Sequence, residues 1–335
     1  MTARILALNR RLVTSCLSSS AIPSAMTNSN PTTGGAVLAK VTRGLDGAAC
    51  HKCIHMQKTR QVEKRKKSLP PLKLHEGKVN ISFAGCGFLA IYHLGVARGL
   101  LKHGHEVMSR VNRWGGASAG AIAAALMVCM PSKLGDAIQM LRDLVDLLHQ
   151  QPLGALTPGF DKVGHLRSEL QRHLPAGSYR QASRKLYISV TRVADGKNIL
   201  LTKFKSDEEL IDALVCSCYI PVYCGFRIPT FRGQKYIDGG VTVNMPIYPS
   251  GRTLCVSPFS GHLQDICPAD ESWLSLSYVV AGHSFRVCSQ NVWRALAALF
   301  SPTHPALDEY LERGTQDAAR FLRENGFLQH EIKDS

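Results

Sequence analysis

An α/β fold with a mainly parallel central sheet follows from two observations in this 335-residue chain. Residues 79–84 alternate at period 2 and stop at Gly85-Cys86-Gly87, and residues 88–103 then run at helical spacing. A second strand-like segment, 111–115, leads through Gly116-Ala117-Ser118-Ala119-Gly120 into a second helical run, 121–130. Strand, glycine turn and helix, given twice, spell βαβα, and strands joined through a helix lie parallel.

The remaining elements follow in order. Residues 133–149 place Leu134, Ile138, Leu141, Val145 and Leu148 on one stripe, as an amphipathic helix does. Thr157-Pro158-Gly159-Phe160-Asp161 forms a turn ahead of a helix that reaches about His173. Residues 185–191 and 198–204 are strand-like and join across Asp195-Gly196, a hairpin signal. Ser206 and Glu209 have capping-box spacing at the start of a helix that ends near Cys218. A short strand carries Asp238 onto a Gly239-Gly240 turn, and residues 253–257 read as the last core strand. Residues 274–300 and 306–327 read as helical.

Composition divides the chain into a basic extension over 1–77 that is expected to be disordered, a catalytic-size domain over 78–327 and a tail over 328–335. The net charge of +15 belongs mostly to the extension: residues 1–78 hold 14 Lys and Arg against Asp46, Glu63 and Glu76, a balance of +11, and the remainder carries +4. A nucleic-acid-binding domain carries its basic surface in its folded part, so no nucleic-acid partner is expected. Arg4, Arg10 and Arg11, with several Ser and no acid before Asp46, make the start similar to a mitochondrial transit peptide or to a basic tail that leans on anionic membrane.

The 11 cysteines lie in apolar context and read as buried thiols of a reducing, cytoplasmic compartment. Cys50-His51-Lys52-Cys53 has the spacing of half a zinc site, but nothing completes it, so no metal is expected. No run reaches the roughly 18 apolar residues of a membrane span, and contact with lipid is expected to be peripheral.

Three small-residue turns end predicted strands: Gly85-Cys86-Gly87, Gly116 to Gly120, and Asp238-Gly239-Gly240. In an open parallel sheet such turns gather along one edge, where ligands bind. Gly116-Ala117-Ser118-Ala119-Gly120 is the G-x-S-x-G pattern of a nucleophile elbow, whose small neighbours permit a sharp turn with Ser118 exposed at its tip; the same string also packs as a plain turn and helix. With Ser118 as nucleophile, the first turn aims the N–H groups of Cys86 and Gly87 at a developing oxyanion, and Asp238 accepts or orients the serine proton. A Ser-Asp-His triad using His262 or His283 is also open. No dinucleotide cofactor is expected, because Ala90 fills the last glycine position of a G-x-G-x-x-G fingerprint.

In this order, Ser82-Phe83-Ala84-Gly85-Cys86-Gly87-Phe88, Gly116-Ala117-Ser118-Ala119-Gly120 and Asp238-Gly239-Gly240 resemble the patatin-like phospholipase family, most of all its adipose-triglyceride-lipase branch. The resemblance covers about 78–327. It implies a three-layer α/β/α fold and hydrolysis of lipid acyl esters without cofactor, with Ser118 as nucleophile, Asp238 as base, Gly85, Cys86 and Gly87 as the oxyanion hole, Gly116 and Gly120 flanking the elbow, and Gly239 and Gly240 shaping the aspartate turn. A dyad then takes the place of a triad. Many members carry a further glycine and a basic residue in the oxyanion loop, where this chain has Leu89 and Ala90.

The expected substrate is a neutral glyceride or retinyl ester met at a membrane or lipid-droplet surface. Acyl transfer to another alcohol is available by the same mechanism. The alternatives are phospholipase A-type activity and a catalytically silent lipid-surface protein. No protein partner is indicated.

Overall fold

The computed structural model describes residues 77–157, 159–269 and 276–328; the half zinc site, the basic extension before residue 77 and the last seven residues lie outside them. β1 (Val79–Phe83) is buried at every position. It lies between two parallel neighbours, β2 (Val111–Ala117) and β7 (Arg252–Val256), so that Phe83 stands opposite both Gly116 and Val256. A 3-10 turn, Gly87–Leu89, leads from β1 into α1 (Ala90–His103), and α2 (His105–Ser109) precedes β2. From β2 the chain enters α3 (Ala119–Cys129), then α4 (Leu134–His149), α5 (Lys162–His173) and α6 (Ser178–Ala182), and returns as β3 (Leu186–Arg192), parallel to β2. The middle of the sheet is therefore parallel and flanked by helices, as the βαβα reading requires.

At β3 the sheet becomes mixed. β2 pairs with residues 186–189 of β3, β4 (Asn198–Leu201) pairs antiparallel with 188–191, and β6 (Gln234–Asp238) pairs antiparallel with 190–192. A strand has only two edges. Because both β2 and β6 overlap β4 in register, both must lie on the edge opposite it, end to end. Ala117 faces Ser189 and Asp238 faces Val190, so the last residues of β2 and β6 arrive at adjacent positions from opposite directions.

Between β4 and β6 come α7 (Asp207–Ser217) and the short β5 (Thr230–Phe231). The Glu209 N–H donates to Ser206 Oγ at 3.2 Å, but the Glu209 carboxylate accepts from the N–H of Lys205, one residue ahead of the cap, at 2.8 Å. The capping box is thus shifted by one residue on its return bond.

The C-terminal region corrects the sequence reading. Residues 274–300 were expected to be helical throughout, but β8 (Ser277–Val280) and β9 (His283–Arg286) form an antiparallel hairpin ahead of α8 (Ser289–Leu299). Tyr278, Val279, Val280 and Phe285 favour strands, and Ala281 and Gly282, at φ +48° and +76°, close a primed two-residue turn. The apolar content of this stretch imitates helical periodicity.

The last helix, α9 (His304–Glu324), packs closely on α1. A side chain on Gly95 would run into the carbonyl oxygen of Leu311, and one on Gly314 into that of Tyr92. Behind this contact the Tyr92 hydroxyl donates to Asp317 at 2.7 Å, and Arg320 pairs with the same carboxylate at 2.6 Å. Gly95→Val should therefore lower the unfolding free energy in urea by about 2 kcal/mol or more, because neither backbone can withdraw without opening the core; an unchanged midpoint would contradict the packing.

Candidate active site

Ser118 turns strand into helix in a single residue, between the end of β2 and the start of α3, at φ +53° and ψ −130°. A residue with a Cβ is strained in that region, and such strain persists only where the surroundings over-determine it. Side chains on Gly116 or Gly120 would collide with the carbonyl of Phe83 in β1, which explains the small residues on either side. The Ser118 N–H donates to Ser217 Oγ at 2.8 Å, and that hydroxyl donates to the Ser189 carbonyl at 2.7 Å, so β3 fixes the turn through one relay. The Ser118 carbonyl accepts from Ala121 and Ile122, which begins α3. With its backbone committed, the side chain lines the cavity.

Asp238 meets it from the end of β6. Its N–H donates to the Tyr219 carbonyl and its own carbonyl accepts from Thr191 Oγ1, both at 2.8 Å. The side chain is 5% exposed. Burial pushes its carboxyl up to about 6, partly offset by the hydroxyl of Ser118 and by the Gly240 N–H, which donates to Oδ1 at 2.6 Å. The serine and the aspartate predicted from separate motifs are thus brought together on one edge of β3.

The first glycine turn joins them with one redistribution of roles. The Gly85 N–H donates to Asn244 Oδ1 at 2.8 Å, so Gly85 contributes shape rather than a free donor. The N–H groups of Cys86 and Gly87 have no backbone acceptor among the described residues and stand at the start of the 3-10 turn that leads into α1. That is the arrangement an oxyanion hole needs: donors fixed by the fold and reinforced by a helix N-terminus. Burial, reinforced by the charge of Asp238, raises the Cys86 thiol well above its ordinary range and keeps it protonated.

Neither downstream histidine considered for a triad serves Ser118. Both ring nitrogens of His283 are taken, by Asn244 Nδ2 and Ser257 Oγ at 2.8 Å each, and Nδ1 of His262 meets Ser284 Oγ at 3.0 Å. Among the described residues no group of three or more His, Cys, Asp or Glu side chains converges as a metal site.

A cavity of about 920 Å³ opens over these turns, lined by Ser118, Asp238 and mostly apolar side chains. Sequence reasoning missed two parts of it. Asn244, six residues beyond Asp238, carried no spacing signal. Val163, Leu166 and Leu170 of α5 line the cavity, but their helical spacing reads as ordinary core.

The raised carboxyl of Asp238 gives a signed stability test. A folded-state value near 6 against the ordinary 3.8 means folding favours the protonated form; that contribution is complete below about pH 4 and is lost as the pH rises through 6. The stability of Asp238→Asn relative to wild type should therefore grow by about 2–3 kcal/mol between pH 4 and pH 8. A pH-independent difference in denaturant titrations would contradict this assignment.

The sequence pattern of the patatin-like phospholipase family matches residues 81–249. Human patatin-like phospholipase domain-containing protein 4 is 38% identical over 250 residues, 74% of this chain and 98% of that protein. Rat patatin-like phospholipase domain-containing protein 2 is 43% identical over 253 residues, covering 76% of this chain and 52% of that one, so the chain spans about half the length of that relative. A mouse relative named 1-acylglycerol-3-phosphate O-acyltransferase Pnpla3 is 40% identical over 252 residues, 75% of this chain and 60% of its own length. With a mainly parallel, helix-flanked sheet that bears the three glycine turns in the family's order, the chain belongs to the patatin-like phospholipase family.

Proposed function

We propose that the chain is a lipid acyl hydrolase working through a Ser118–Asp238 dyad, with neutral glycerides or retinyl esters as substrates. The observation that supports this best is the position of the serine and the buried aspartate on the wall of a largely apolar cavity of about 920 Å³, a volume suited to an acyl chain. Ser118 Oγ attacks the ester carbonyl while its proton passes to Asp238. The N–H groups of Cys86 and Gly87 receive the oxyanion. Collapse of the tetrahedral intermediate expels the alcohol, which takes the proton back from Asp238 and leaves acyl-Ser118.

A carboxylate with a pKa near 6 is a stronger base than an ordinary aspartate yet remains ionised at neutral pH. Ser118 is only 9% exposed, which limits water at the acyl-enzyme and favours a lipid alcohol as a second acceptor. Acyl transfer, the activity in the name of the mouse relative, is therefore proposed beside hydrolysis.

Purified protein should turn over triolein or retinyl palmitate faster than a phospholipid, with kcat/KM rising through about pH 6 to a plateau. Ser118→Ala and Asp238→Asn should each lower turnover roughly a thousand-fold or more. Wild-type rates in either variant would remove the dyad, and phospholipid as the preferred substrate would move the reading to phospholipase A-type chemistry.

Access to the substrate is proposed through an apolar rim, with the protein peripheral to membrane or droplet lipid. Among the described residues no helix is long and apolar enough to cross a membrane. Tyr278 and Val280 on β8 and Val292 on α8 line the cavity and are also more than half exposed, and Trp293, the next residue of α8, is 68% exposed. Continuity between the exposed patch and the cavity supports direct entry of lipid from a surface. Trp293→Glu should cut hydrolysis of emulsified triolein roughly ten-fold more than that of a soluble short-chain ester, since one buried aromatic side chain contributes about 2 kcal/mol; equal losses on the two would contradict a lipid-facing role for α8.

A further inference from the structure

A chain of buried hydrogen bonds runs from the oxyanion turn to the β8–β9 hairpin, and its direction can be read atom by atom. The Gly85 N–H can only donate, so the Asn244 atom that faces it at 2.8 Å is the carbonyl Oδ1. The Asn244 amide nitrogen therefore points the other way and donates to His283 Nδ1 at 2.8 Å, with a longer contact to the Gly85 carbonyl at 3.4 Å. Nδ1 must accept, so the proton of the neutral ring sits on Nε2, which donates to Ser257 Oγ at 2.8 Å. Ser257 Oγ also accepts the N–H of Phe259 at 3.0 Å, which anchors the far end just beyond β7.

His283 and Ser257 are fully buried and Asn244 nearly so. The Asn244 N–H donates to the carbonyl of Ala281 in the hairpin turn, which fixes that residue from a second side. The orientation of Asn244 and the tautomer of His283 are thereby fixed, and the chain ends at the peptide that precedes the two proposed oxyanion donors.

We propose that His283, acting through Asn244, is a positioning residue that holds the Gly85 peptide and so aims the N–H groups of Cys86 and Gly87 at the reacting carbonyl. Resting on the acyl-hydrolase reading, the inference gives the hairpin a part in the chemistry. Loss of the imidazole removes the strong acceptor of the Asn244 amide nitrogen, leaving it only the 3.4 Å contact to the Gly85 carbonyl, and so loosens the side chain that holds Oδ1 on the Gly85 N–H. The turn then moves, and with it the donors. Because those donors bind the oxyanion more strongly than the ground-state carbonyl, the cost falls on kcat rather than on KM.

The test compares wild type, His283→Leu and His283→Gln for the rate of covalent labelling by an alkyl fluorophosphonate and for kcat and KM on a short-chain ester. Glutamine can accept from Asn244 with Oε1 and donate to Ser257 with Nε2, as the imidazole does. His283→Leu should be labelled roughly 10- to 100-fold more slowly, with a matching fall in kcat and an unchanged KM, on the scale of losing part of an oxyanion donor. His283→Gln should recover most of that loss. Should His283→Leu fail to fold, Asn244→Ala carries the same expectation. Equal labelling rates in wild type and His283→Leu, or a loss confined to KM, would overturn the inference alone. No labelling of folded wild type would instead remove the acyl-hydrolase reading, and this inference with it.

Discussion

The edge of β3 that β2 and β6 share end to end is the constraint on which the site depends. A parallel strand and an antiparallel strand cannot occupy the same stretch of one edge, so each must stop where the other begins. They stop at Ala117 and Asp238, opposite Ser189 and Val190. Ser118, the next residue after Ala117, and Asp238, 120 positions apart in the chain, are thus brought close through backbone register. The same strand supplies the Ser189 carbonyl that anchors the serine turn through Ser217. Strain at Ser118 is sustained because the sheet holds the turn that the small residues around it permit.

Burial then sets the chemistry. Removing the aspartate from water raises its carboxyl toward the working pH, while the hydrogen bond from the Gly240 N–H and the nearby Ser118 hydroxyl keep it from being raised further. In the proposed chemistry a buried carboxylate next to a serine is the base, and both ring nitrogens of His283 are bound elsewhere. His283 stays neutral, with burial pushing its ring down to about 3, and that neutrality is what its accepting Nδ1 requires. His93 is comparable: it is buried, pushed down to about 4, and donates from Nε2 to the Ala84 carbonyl just before the oxyanion turn. The turn is thus braced by α1 through His93 and by β9 through His283 and Asn244.

Much of this was legible in the sequence because local rules were enough. The alternation of residues 79–84, the glycine turn and the helix after it, and the G-x-S-x-G elbow each carry their geometry in a handful of adjacent residues. The β8–β9 hairpin was misread because Leu, Val and Ala content outweighed the turn signal at Ala281-Gly282. Asn244 and Ser217 were invisible for a different reason. Each reaches the site by hydrogen-bonding a residue about a hundred or more positions away, and the fold alone brings those partners together. The mixed character of the sheet at β3 belongs to the same class, since strand direction after a hairpin depends on which edge is free.

The most direct measurement is a crystal structure of the protein inactivated by a long-chain alkyl phosphonate. Phosphorus should lie on Ser118 Oγ, the phosphonyl oxygen within hydrogen-bonding distance of the Cys86 and Gly87 N–H groups, Asp238 beside that Oγ, and the alkyl chain along the α5-lined cavity. An adduct on any other residue, or a phosphonyl oxygen turned away from the first glycine turn, would contradict the proposed chemistry.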